Sequence, residues 1–291
     1  MSSRQGPKWP FRWDLLLRYR FIETLALWEG RLTTRHLCDT FGIGRQQASK
    51  DINNYIRDVG PGNLQYDKFL KGYKPTADFI PRVTQGLADE YLHLMARNNE
   101  LMNVFESLSL NVANVEVLSI PVRDVKPEVL RPIMLAARLQ KRLDVDYVSL
   151  NHPDREGRII VPHTLVYSGL RWHVRAWCEK NSEYRDFVLS RFRGIPEIMD
   201  DSGHGVEGDA GWNTPVIVRI APDPGLKPEQ REVVEVDYGM INGVLEIPTR
   251  ARLVPYVLQL LHIEPNKRAP VPTAQQIVVQ NRSELAIWLF D

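Results

Sequence analysis

Gln46, Gln47, Lys50, Asn53, Asn54 and Arg57 recur at spacings that gather them on one side of a helix turning about 100° per residue, with Ala48, Ile52, Tyr55 and Ile56 opposite. One side can pack, and the other consists of hydrogen-bonding groups. Gln and Asn amides match the N6/N7 edge of adenine and Lys reaches guanine O6/N7, each good bidentate pair discriminating by about 1–3 kcal/mol. Residues near the start of such a helix usually reach base edges. That assigns Gln46, Gln47 and Lys50 to bases, and Arg45, Asn54 and Arg57 to phosphates, where contacts fix register without reading sequence. The same face alone would also suit an ordinary solvated helix, so its surroundings must decide.

Those surroundings are specific. Residues 13–29 form an apolar-rich helix stopped by Gly30. Thr33 can cap the helix that follows, and Gly42 can supply the positive φ that ends it. A second helix is predicted from about Gly44 to Arg57. Two short helices around a glycine turn form the unit that sets a helix in the major groove. A hairpin over 64–74 then gathers Lys68, Lys71 and Lys74, a basic wing suited to gripping phosphates. Gly42-Ile43-Gly44-Arg45-Gln46-Gln47-Ala48 has a loose likeness to a dinucleotide fingerprint, but that motif must follow a strand and here a helix precedes it.

A second constellation lies in a stretch of strand-like alternation. Trp172, Val174, Ala176 and Cys178 alternate with Arg171, His173, Arg175 and Trp177, so the first set is expected in a core and the second on a face. From Arg155 to Arg193 there are eight Lys/Arg against four Asp/Glu, and seven of the eight are Arg. Guanidinium forks bind carboxylate and phosphate in bidentate fashion, so a β surface carrying them beside His suits an anionic ligand.

The 291 residues suggest two or three domains. Residues 1–80 carry 13 Lys/Arg against 8 Asp/Glu, and the other 211 carry 24 against 28, so the basic surplus sits at the N-terminal end. No apolar run approaches a membrane span, and no secretory leader is legible. Cys38 and Cys178 are too few for a disulfide framework and wrongly spaced for zinc, which fits a reducing cytoplasm. Joints are expected at Ile80-Pro81, over 112–121 and over the polar, Gly-rich 200–211. Helices are predicted over 84–108 and 128–143, strands over 145–192, and strands with one helix (about 250–262) over 214–291.

The run Pro162-His163, Tyr167, Arg171-Trp172-His173-Val174-Arg175-Ala176 and Phe187-Val188-Leu189-Ser190-Arg191 resembles the WYL domain, an Sm/SH3-like β-barrel that follows a winged helix-turn-helix in bacterial regulators. The chain most resembles the regulators that sit beside BREX and CBASS phage-defence operons. The wing residues Tyr66-Asp67, Lys71 and Tyr73, and Val236-Asp237-Tyr238-Gly239-Met240 near the C-terminus, extend the resemblance over nearly the whole chain. It departs at the naming triplet, which reads Trp172-His173-Val174. The histidine there bears on which ligand is read and how pH affects it.

The resemblance implies an α+β, multidomain protein. The winged helix-turn-helix would span 1–80, a helical linker 81–120, the WYL barrel 121–200, and a small α/β C-terminal extension for dimerisation 212–291. It implies a homodimeric repressor of a phage-defence operon on palindromic double-stranded operator DNA. A nucleotide or nucleic-acid-like ligand in the WYL domain would set DNA affinity. By position in the motif, Tyr147, Ser149, His163, Arg171, His173, Arg175 and Arg191 would form the pocket, with Trp172 in the core. No cofactor or metal is expected. His152, His163 and His173 lack accompanying carboxylates, and no HExxH, P-loop or GxSxG motif occurs, which argues against an enzyme. The alternative is a single-strand-binding module acting through the Sm-like barrel, with Trp177 and Tyr167 as stacking candidates.

Overall fold

The computed structural model describes residues 11–102, 123–150, 153–154, 156–264 and 271–289. The chain divides into two compact units, Met1–Ile120 and Pro121–Asp291.

In the first unit, α1 (Trp13–Glu29) ends at Gly30, whose φ of 67° is left-handed. Helix α2 (Thr34–Phe41) starts on a capping box in which Thr33 Oγ1 accepts from the His36 N–H while His36 Nδ1 accepts from the Thr33 N–H. Gly42 at φ 61° ends it and turns the chain into α3 (Arg45–Asn54), which continues as one wide π turn over Tyr55–Val59. Strands β1 (Leu64–Asp67) and β2 (Gly72–Pro75) form the antiparallel hairpin. Leu32 adds a bridge to Tyr73, donating and accepting at 2.8 Å. A Cβ on Gly72 would lie 2.8 Å from the Leu32 carbonyl oxygen, so only glycine lets the wing approach this closely. Helix α4 (Ala88–Met102) brings Leu94 to the same core, which is built on Ile22, Leu25, Leu37, Ala48, Ile52 and Tyr55. The helix predicted over 84–108 starts later, at Ala88, where Glu90 Oε2 accepts from the N–H groups of Gln85, Gly86 and Leu87; its stretch beyond Met102 and the joint over 112–121 lie outside the described residues.

A buried carboxylate fastens this unit. Glu23, fully buried on α1, accepts from Tyr55 Oη at 2.8 Å and from the backbone N–H groups of Arg82, Val83 and Thr84 at 2.8–3.0 Å. Asn63 makes two further bonds to the backbone of Ile80. The stretch around Ile80-Pro81, read from sequence as a joint, is therefore strapped to the helices.

The second unit opens with α5 (Pro127–Leu139), begun by Pro127 at its first turn. It ends earlier than the predicted 143. Gln140 takes a left-handed φ of 54°, and Leu143, Val145 and Tyr147 alternate inward on a strand instead. Strands β3 (Lys141–Tyr147), β4 (Glu156–Tyr167), β5 (Trp172–Cys178), β6 (Glu183–Val188) and β7 (Phe192–Asp201) form one antiparallel sheet in the order β6-β5-β4-β3-β7. Strands β6 and β7 are its edges. Among the described residues no pairing joins them, so the ladder is not the closed barrel expected. Val129, Ile133 and Ala136 of α5 cover one face, against Leu143, Val145, Ile160, Val174, Ala176, Cys178 and Phe187. Each fully buried aliphatic side chain contributes about 1.5–3 kcal/mol.

After the short α6 (Ala210–Asn213), β8 (Pro215–Pro222), α7 (Pro228–Asp237), β9 (Leu245–Arg250), α8 (Val254–Leu260), β10 (Ile277–Val279) and α9 (Arg282–Leu285) complete the chain. Strand order is β10-β8-β9, around a core of Val218, Ile220, Val234, Val254 and Leu258. The sequence predicts a single helix here, and α7 is additional: Pro-Glu-Gln-Arg-Glu-Val-Val-Glu-Val-Asp buries only Val234 and so shows no apolar stripe. The stretch 200–211, read as a linker, is pinned: Tyr184 Oη donates to the Gly205 carbonyl at 2.7 Å, and Asp209 is buried.

Candidate nucleic-acid interface and ligand site

Helix α3 is held by its inward face, with Ala48, Asp51 and Ile52 buried. Asp51 accepts from Arg18 Nε of α1 at 2.7 Å and from Gln47 Nε2 at 2.7 Å. Arg45, Gln46, Gln47, Lys50 and Asn53 stand exposed on the outer side. The Gln47 amide nitrogen is thus occupied inside the protein, while its oxygen stays available. Arg57 donates to both carboxylate oxygens of Asp58 at 2.7 Å and to Asn54 Oδ1 at 2.9 Å. Those bonds hold its charge beside an acid, so the structure does not set Arg57 and Asn54 free with the rest.

The wing is ordered by Asp67. Its Oδ1 accepts from the N–H groups of Phe69 and Leu70, and its Oδ2 from Lys74 Nζ at 2.8 Å. The bond from Lys74, with the turn's N–H groups, pulls the Asp67 carboxyl down to about 2. Lys74 is spent on the turn, and Lys68 and Lys71 remain exposed. A cleft of about 550 Å³ separates the α3 N-terminus from the wing, lined by Arg31, Thr34, Arg35, Arg45, Gln46, Ser49, Tyr66 and Lys71 among others. Arg31 and Arg35 are not singled out by the sequence, which marks Tyr66 only as part of the wing. Their signal was faint, since Arg31 and Arg35 lie on the lead helix and its approach, and only folding brings them beside Lys71.

The second constellation splits in two. On β5, Val174, Ala176 and Cys178 face the core as expected, but Trp172 is 51% exposed. It pairs across the β4–β5 hairpin end with Tyr167, ring centroids 5.0 Å apart. The hairpin end lies outside the core cluster, so alternation alone does not bury its first residue. The opposite face is not a solvated one, because His173 and Arg175 are buried. Arg175 donates from Nε to Asp209 at 2.6 Å, from Nη2 to the same carboxylate at 3.2 Å and from Nη1 to Asp186 at 3.2 Å. His163, at a bulge in β4, reaches Thr164 Oγ1 and Asp209. Burial opposes ionisation of Asp209, but the bonds from His163 and Arg175, the Arg175 charge and the Trp212 N–H outweigh it and hold the carboxyl far below the usual range.

His173 stands apart from that network. Its Nδ1 is buried with no hydrogen-bond partner. Its pKa is lowered, first by burial and then by the charges of Arg171, Arg191 and Arg123, with Asp186 opposing. Arg123, which the sequence reading did not select, donates to the Leu170 carbonyl at 3.1 Å. Three guanidinium groups therefore act on one imidazole whose Nδ1 is buried and without a hydrogen-bond partner. Tyr147 goes elsewhere: it is buried in the core against Phe187 and Phe192, its hydroxyl accepting from the Val188 N–H. Ser149 lies half-buried just beyond β3. Of the predicted pocket, Arg171 and Arg191 act on His173 through their charge, and His163 and Arg175 are tied into the ion-pair network. His152 lies outside the described residues. Among the described residues no three His, Cys, Asp or Glu side chains converge as a metal site, and no helix is long and apolar enough to cross a membrane.

Three families of known proteins match in succession along the chain. Residues 14–97 match the BrxR transcriptional regulator winged helix-turn-helix domain, 128–196 the WYL domain, and 215–285 the BrxR transcriptional regulator C-terminal dimerization domain. The DNA-binding transcriptional repressor CapW of Escherichia coli (strain KTE188) is 32% identical, over 98% of this chain and 93% of its own length. CapW of Stenotrophomonas maltophilia (32%, 96% of this chain) and of Pseudomonas aeruginosa (32%, 98% of this chain) are similar over 93% of their lengths. A solved chain, proteasome accessory factor B/C (PafBC) of Arthrobacter aurescens, is 15% identical with a TM-score of 0.26. The present chain covers about half (51%) of that protein, and the likeness bears no weight here. None of these descriptions is of an enzyme. With three successive domain matches and relatives alike from end to end, the chain belongs to the BrxR/CapW family of winged-helix, WYL-domain transcriptional regulators.

Proposed function

We propose that this protein represses transcription as a homodimer on a two-fold symmetric operator, reading bases with the first turns of α3 and gripping phosphates with the wing. The observation that carries this reading is the basic cleft in which Arg31, Arg35, Arg45 and Lys71 face one another between α3 and the hairpin. Gln46, Lys50 and Asn53 supply base contacts, and Lys68 supplies backbone charge. The relatives' name, transcriptional repressor, supports the sign of regulation. The regulated operon in this reading is a phage-defence operon, in line with the family resemblance.

The reading includes control by an anionic ligand, a nucleotide or nucleic-acid fragment, at Arg171, Arg191 and His173. Support comes from the buried Nδ1 of His173, which lacks a partner beside three guanidinium groups. A ligand shifts DNA affinity only through different affinities for the two states, and such coupling is typically about 1–3 kcal/mol. Fluorescence anisotropy on the duplex upstream of the gene, against scrambled duplex and across salt concentrations, tests the first part. Tight, sequence-dependent binding with a steep salt slope supports it, and equal weak binding to both duplexes rejects it. A second reading, a single-strand-binding module, draws on the exposed Tyr167–Trp172 pair, a surface on which bases could stack. Competition between duplex and single strand separates the two.

A further inference from the structure

The C-terminal domain contributes an aromatic wall to the basic site. The Tyr256 ring of α8 lies over His173, centroids 5.2 Å apart at 42°. Its hydroxyl donates to Asp186 Oδ2 at 2.8 Å, the carboxylate whose other oxygen holds Arg175. Helix α8 also belongs to the core of the C-terminal domain through Val254 and Leu258. A second contact reinforces this one. Gly169, at φ +79°, lies in the β4–β5 turn that leads to Arg171, and a Cβ there would sit 2.2 Å from Leu260 Cδ2 at the end of α8. The turn that leads to Arg171 and the helix that carries Tyr256 are therefore in direct contact.

We propose that Tyr256 is a ligand-contacting and specificity-determining residue. A phosphate-bearing ligand held by Arg171, Arg191 and His173 packs a base or sugar against its ring, so that the dimerisation domain itself forms one wall of the effector site. The proposal rests on the anionic-ligand reading above. Its physical basis is that His173 Nδ1 is buried with no hydrogen-bond partner and that the His173 ring packs against the Tyr256 ring, so a group bonding to that nitrogen meets the tyrosine. The charged groups around the two rings are Asp186 on β6, Arg171 just before β5, Arg175 on β5, Arg191 beyond β6, Arg123 before α5 and Arg252 before α8. Guanidinium groups outnumber the carboxylate, and Asp186 is already engaged by Arg175 and Tyr256. Occupation of the site would bear on the Tyr256–Asp186 bond and hence on the seat of α8, which links ligand to dimer geometry.

The test uses the full chain and two probes, adenosine monophosphate and a 5′-phosphorylated single-stranded DNA tetramer, measured by titration calorimetry. The probes distinguish a free nucleotide from a nucleic-acid end as the source of the phosphate. Wild type is expected to bind at least one, and Arg191→Ala to lose it. Tyr256→Leu, which keeps much of the buried volume, is expected to weaken the same probe about tenfold, within the range of base–aromatic stacking. Tyr256→Phe is expected to keep binding while changing how far the probe shifts operator affinity. Gel filtration and thermal unfolding establish that each variant stays folded and dimeric. If Tyr256→Leu, folded, binds the probe as wild type does while Arg191→Ala does not, the site reading stands and the role of Tyr256 is overturned. If wild type binds neither probe, the anionic reading and this proposal are both rejected.

Discussion

Arg175 and Asp209 form a buried ion pair, Nε to Oδ2 at 2.6 Å, that ties β5 of the five-stranded sheet to the segment entering the C-terminal domain. Both side chains are almost wholly shielded, at 4% and 2% exposure, and each has further partners: Asp186 for Arg175, and His163 and the Trp212 N–H for Asp209. The pair is therefore held on every side by the protein's own groups. Removing one member leaves the other charged and buried, which costs about 3–5 kcal/mol. Arg175→Met or Asp209→Ala should lower the denaturant midpoint of the second unit by that equivalent. Wild-type stability in either variant would mean that the pair does not form in solution.

Acid should expose the same link. Asp209 has a depressed folded-state pKa, so its contribution is present above the unfolded value near 3.8 and is lost as pH falls towards the folded one. His36 and His173, whose pKa values burial lowers from 6.5, act at higher pH in the same direction. Their unfolded forms take protons first, so stability declines as pH drops below about 6.5. Chemical denaturation at pH 7.5 and 5.5 should show this loss, and His173→Phe should reduce it. An unchanged pH slope in that variant would place the titration elsewhere.

The DNA-facing side chains divide by role. Lys50→Ala and Gln46→Ala should each cost about 1–3 kcal/mol on the operator and little on scrambled duplex. Lys68→Ala and Lys71→Ala should weaken both duplexes alike and flatten the salt slope by about one each. Arg57→Ala should do less, because Asp58 already holds that guanidinium. Anisotropy over a salt series reads all five variants, and a large operator-specific loss in Arg57→Ala would show that the Asp58 pair opens on DNA.

Glu23→Ala should loosen the winged-helix unit. It strips partners from Tyr55 Oη and from three backbone N–H groups, and each buried donor left unpaired costs about 1–3 kcal/mol. Hydrogen exchange should show lost amide protection at Arg82, Val83 and Thr84. Retained protection there would mean that the strap is held by other contacts.

Much of this protein is legible along its chain. Gly30, Thr33 and Gly42 mark helix ends through local backbone chemistry, and the polar face of α3 follows from spacing alone, so the outline of the helix-turn-helix is local. The WYL run is legible too, since strand alternation correctly buries Val174, Ala176 and Cys178. Long-range packing decided the rest. Arg175 and His163 read as ligand contacts from the motif, but Asp209, 34 residues beyond Arg175, engages both. Trp172 reads as core and stands exposed, because a hairpin end outruns the core that alternation assumes. Glu23 reads as one acid in an apolar helix, and only folding brings residues 82–84 to its carboxylate. Tyr256 carries no signal next to His173, 83 positions away, until α8 packs on the sheet. Spacing fixes what a helix or strand offers on each face. Which distant group covers that face, and so whether a charge is free to meet a ligand or is already paired, is settled only in three dimensions.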